Sequence, residues 1–91
     1  MEKYKVLIGK KINLEFNGTA LNSYKITEML PTDESMEGRG KMFKCSVDWE
    51  KKELAGAEPT LSFDEQTLDE LIETGKSVCP LFSNLHYKIA K

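Results

Sequence analysis

Ninety-one residues, 40% hydrophobic and 31% charged, suit one globular domain and are too few for two. A formal charge of −2, from 13 basic and 15 acidic residues, excludes the bulk attraction to nucleic acid or anionic membrane that a strongly basic chain carries. Arg39 is the single arginine, so the guanidinium forks that read phosphates and guanine edges are scarce, and sequence-specific nucleic-acid binding is not expected.

The start, "MEKYKVLIGKK", has too short an apolar run for a signal peptide, and no stretch reaches the ~20 apolar residues of a membrane span. These features give a cytoplasmic protein with no membrane partner, in a compartment where thiols stay reduced. The sequon Asn17-Gly18-Thr19 then has no glycosylation role.

In chain order, "YKVLIGKKINLEF" (4–16) alternates, with Tyr4, Val6, Ile8, Ile12, Leu14 and Phe16 in one phase. Period two predicts β structure, either one strand bent at Gly9 or two strands joined by a Gly9-Lys10 turn. Asn17-Gly18 is a turn signal. "SYKITEML" offers Tyr24 and Ile26 on one face, and "PTDESMEGRGK" reads as the longest loop. "KMFKCSVDWE" is a strand with Phe43, Cys45, Val47 and Trp49 on its apolar side, which makes Cys45 a buried thiol and Trp49 core or rim. "KKELAGAEPT" is a polar connection.

A helix is predicted over about 62–74, with Ser62 and Glu65 as a capping box, Leu68, Leu71 and Ile72 on one face, and Gly75 as the stop. "LFSNLHYKIAK" alternates Leu85, Tyr87 and Ile89 against Asn84, His86 and Lys88 as a closing strand, with a sheet edge as one placement. The fold class that results is α+β, mainly β: a strongly bent antiparallel sheet or barrel of about five strands with one helix in the C-terminal half.

The rhythm of "IGKKINLEFNG", "YKITEML" and "KMFKCSVDWE" resembles the small β-barrels of the Tudor and chromo-barrel type (Src-homology-3-like) over residues 8–49. The resemblance implies a non-enzymatic module that binds peptides, modified side chains or nucleic acid. An aromatic cage for methylated lysine would have to come from Phe16, Tyr24, Phe43 and Trp49. Three of these, Phe16, Phe43 and Trp49, lie in the apolar phase of their strands, as core residues do.

The chemistry-bearing residues are few. One histidine and two cysteines, Cys45 and Cys79, outside a CxxC spacing make no zinc set, and no metal or cofactor is expected. A Cys79-His86 couple reads as a structural thiol and an exposed strand histidine, and whether Cys45 and Cys79 pair is left open. "EGRGK" lacks the glycine spacing of a phosphate loop. Glu65, Asp69 and Glu73, four apart, form an acidic helix stripe suited to docking a basic surface.

Two functions follow. The first is a binding module, not an enzyme, that engages a protein partner through Glu65, Asp69, Glu73, Arg39, Trp49 and Tyr24, as an adaptor or an inhibitor of the kind mobile elements encode. The alternative is a protein that binds a small molecule or nucleotide in a pocket between subunits.

Overall fold

Asn17 and Gly18 both take positive φ, 51° and 81°, the conformation of a two-residue hairpin turn whose twist matches its strands. They join β1 (Lys11–Phe16) to β2 (Thr19–Met36). The structure, a computed structural model, describes residues 2–54 and 57–90. Residues 55 and 56, in the connection read from "KKELAGAEPT", lie outside the described residues.

Strand β2 is 18 residues long because it serves two partners. Its first part, to Lys25, pairs with β1, and Tyr24 to Met36 pairs with β3 (Gly40–Trp49). Irregular pairing between Ile26 and Glu28, and again between Pro31 and Ser35, bends the strand, and the second accommodates Pro31 in a ladder to which it cannot donate. The segment read as a loop, 31–40, is therefore mostly hairpin. Alternation is hard to see there because both faces are polar or exposed.

β4 (Thr60–Asp64) follows, then α1 (Glu65–Thr74), β5 (Lys76–Val78) and β6 (Leu85–Ile89). The six strands form one antiparallel sheet in the order β4-β3-β2-β1-β6-β5. The mainly-β class with one helix in the C-terminal half holds. β6 lies inside the sheet between β1 and β5, not at an edge. The sheet is open, since β4 and β5 end it, yet it bends far enough for Phe63 of β4 to meet Tyr87 of β6 edge to face at 5.4 Å.

The N-terminal segment departs from the expected strand. Glu2–Leu7 is a 3-10 helix, and neither the bent strand nor the Gly9-Lys10 hairpin forms. Three residues per turn put Tyr4 and Leu7 on one side, where both are buried, and leave Val6 and Ile8 exposed. The core joins these two to Ile12, Tyr24, Ile26, Met29, Phe43, Cys45, Trp49, Phe63, Leu68 and Leu71.

Helix α1 starts at Glu65, and its N-cap is Asp64, not Ser62. Ser62 is held in β4 opposite Lys44, while the Asp64 carboxylate accepts from Thr67 N at 3.1 Å and Thr67 Oγ1 at 2.8 Å. Gly75, at φ 78°, ends the helix as read, its N–H donating to Leu71 O. Both cysteines are free and buried.

Candidate functional site

The six residues proposed for partner contact fall into three settings. Tyr24 and Trp49 point inward with exposures of 1% and 7%, their rings edge to face at 5.0 Å. Trp49 Nε1 donates to Glu58 O, so this ring is core filling at the strand end and offers no platform. Tyr24 also stacks with Phe63 at 6.3 Å, and burial pushes its phenol well above the ordinary value. Of the four rings that a cage would need, three are buried: Tyr24, Phe43 and Trp49.

Arg39 is turned inward at the β2–β3 tip. Its Nε donates to Asp64 Oδ2 at 2.9 Å and its Nη2 to Thr67 Oγ1 at 3.1 Å, while its carbonyl accepts from Gln66 N at 3.0 Å. The hairpin tip is thereby clamped to the first turn of α1. Gly40 allows this approach, because a Cβ there would stand 2.9 Å from Cβ of Glu65.

The acidic stripe is partly committed within the chain. Glu65 Oε1 accepts from Lys41 N at 2.7 Å, and Asp69 pairs with Lys3 at 3.1 Å. Glu73 is exposed.

Other chemistry is not assembled. His86 and Tyr87 alternate along β6, so exposed His86 and buried Cys79 take opposite sides of the sheet. Among the described residues no cluster of three His, Cys, Asp or Glu side chains could hold a metal. A groove of about 280 Å³ is lined by Lys11, Ser23, Lys25, Asp48 and Glu50 together with the largely buried Tyr24 and Trp49, and Lys11 and Glu50 are already paired at 3.0 Å.

A different region stands out. Residues 16–24, "FNGTALNSY", and 77–85, "SVCPLFSNL", carry no charged side chain in a chain that is 31% charged. The fold brings their ends together. Phe16 lies opposite Leu85, Asn17 N donates to Asn84 O at 3.1 Å, and Leu85 N donates to Phe82 O at 3.0 Å to close a turn. Around this junction Leu81 is 73% exposed, Phe82 63% and Phe16 43%.

Comparison with protein-family models, curated proteins and solved structures returned no match.

The sequence placed Phe16 in the apolar phase, and it does continue the phase of Ile12 and Leu14. It is half exposed because the strand runs past the end of the core. Leu81 and Phe82 escaped periodicity altogether, since they sit in a turn. The missing charge in both runs was the legible signal.

Proposed function

We propose that this chain is a non-enzymatic binding module whose docking surface for a protein partner is the charge-free apolar end of the sheet. The observation that carries this reading is the meeting of the two uncharged runs at the Asn17–Asn84 bond, with Leu81, Phe82 and Phe16 exposed around it. Protein interfaces have charge-depleted, aromatic-rich centres within a polar rim. Here Asn17, Thr19, Ser83 and Asn84 supply an exposed, uncharged rim. The likeness of residues 8–49 to Tudor and chromo-barrel modules rests on strand lengths and turns, and under this reading it points to a binding role.

The alternative of a small-ligand or nucleotide site has the groove beside Lys11 and Lys25 as its support. That groove, at about 280 Å³, falls just below the ~300–1,000 Å³ typical of ligand pockets, and its Lys11 and Glu50 charges neutralise each other.

A photo-crosslinking side chain placed at position 82 tests the proposal. Protein adducts are expected there and not at Ser62, an exposed position on the polar side of β4. Equal labelling at the two positions would sink the reading.

A further inference from the structure

We infer that the occupant of this end is a second copy of the chain, paired about a two-fold axis. The inference rests on the reading of the end as a docking surface and adds the identity of its partner.

Charge is the first argument. A two-fold contact uses one patch on both copies, so a charge near the axis faces its own like. Other faces of the molecule are poorly suited to this. Exposed Lys76 and Lys88 lie directly opposite each other on the outer face of the sheet. Like charges already oppose each other there within one chain, and a second copy would add to them. The helix side presents exposed Glu73. The end around Asn17 and Asn84 has no charge in either run. Its rim amides each donate and accept, so they can pair with their own copies.

Area is the second. An aromatic side chain offers roughly 150–250 Å² to burial. With the exposures of Phe82, Leu81 and Phe16 at 63%, 73% and 43%, and Leu81 taken at the lower end of that range, the three residues expose roughly 350 Å² of surface, most of it apolar. A standard interface of about 800 Å² per partner, about 65% apolar in homodimers, needs roughly 500 Å². Half-buried Leu85 and the carbon atoms of the rim are placed to supply the difference.

Strand addition at β5 is a poorer route to the same dimer. The Thr74 hydroxyl, shared between Glu70 O at 2.8 Å and Lys76 O at 2.9 Å, also accepts from Lys76 N at 3.4 Å, which partly occupies backbone groups of that edge.

The experiment is light scattering on the full chain from about 1 to 300 μM, for the wild type, Leu81→Ser/Phe82→Ser and Ser83→Lys. Expected are a wild type reaching twice the chain mass, a double variant whose dissociation constant is raised about 30-fold or more, and a Ser83→Lys variant whose weakened dimer recovers in high salt. A wild type at single-chain mass throughout overturns self-pairing and leaves the docking surface standing. A dimer unchanged in both variants overturns it as well, because the contact then lies elsewhere. Melting at the lowest concentration separates the two readings. An unchanged midpoint for the double variant is expected, whereas a large drop would mean that these side chains pack within the chain, which takes down the docking surface and the dimer together.

Discussion

Replacing Arg39 with methionine removes the clamp while keeping an unbranched stem. Asp64 has a side chain only 2% exposed, and losing its guanidinium partner leaves the carboxylate with the N–H and hydroxyl of Thr67 alone. Removing one member of a buried pair costs about 3–5 kcal/mol. The Arg39 side chain is 23% exposed, so solvent already screens part of the interaction, and about 2–3 kcal/mol is expected. Against the roughly 5–14 kcal/mol available to a domain of this size that is a large fraction, equivalent to a fall in melting temperature of roughly 10–20 °C. Asp64→Asn keeps a capping acceptor and lets the guanidinium turn to water, so it should cost about 1 kcal/mol. The double variant should then be more stable than Arg39→Met alone, since no unpaired carboxylate remains buried. Urea unfolding followed by Trp49 fluorescence gives all three values. A cost for Arg39→Met below about 0.5 kcal/mol, or simple additivity in the double variant, would show the pair to be an ordinary surface bridge and refute the reasoning.

Burial pushes the Cys45 thiol up from 9.0 to about 12 and raises the phenols of Tyr24 and Tyr87, so all three are neutral in the fold. Their contribution to stability is intact below pH 9 and is lost as pH rises toward 12. Cys45 alone should remove about 1.4 kcal/mol per pH unit above 9, and Cys45→Ala should flatten the decline in urea unfolding between pH 8 and 11. Gly40→Ala, at φ 96° and 2.9 Å from Glu65, should cost about 1–3 kcal/mol, and more than Gly38→Ala, where a Cβ meets nothing within 4 Å; thermal melts of the pair check the order. Trp49 should emit well to the blue of the unfolded chain and resist iodide quenching, and strong quenching of the native protein would contradict its burial.

Elements defined by neighbours in sequence were legible. The Asn17-Gly18 turn, the alternation from Phe43 to Trp49 and the helix face with its Gly75 stop all depend on local chemistry, though of the three residues read on that face Leu68 and Leu71 are buried and Ile72 is exposed. The N-terminus misled because Tyr4, Val6 and Ile8 satisfy period two by composition, while Tyr4 and Leu7 satisfy period three in space. The role of Arg39 was invisible because its partner is 25 residues away. Ser62 and Asp64 both resemble caps, and only the pairing of β4 with β3 decides between them. The apolar end was half legible: the uncharged runs stand in the sequence, but their contact depends on β6 lying beside β1.

That last placement governs how the domain can be made. The first strand is sandwiched between the second and the last, and the side chains of Tyr4 and Leu7 belong to the same core as Leu68 and Leu71. Hairpins β1–β2 and β2–β3 can form as soon as they leave the ribosome, but one side of β1 stays bare until residues 85–89 arrive. Closing that gap joins segments about seventy residues apart, a slow step in a topology of this kind. During synthesis the unfinished sheet exposes the edge of β1, the kind of unpaired strand that makes an incomplete fold prone to aggregation.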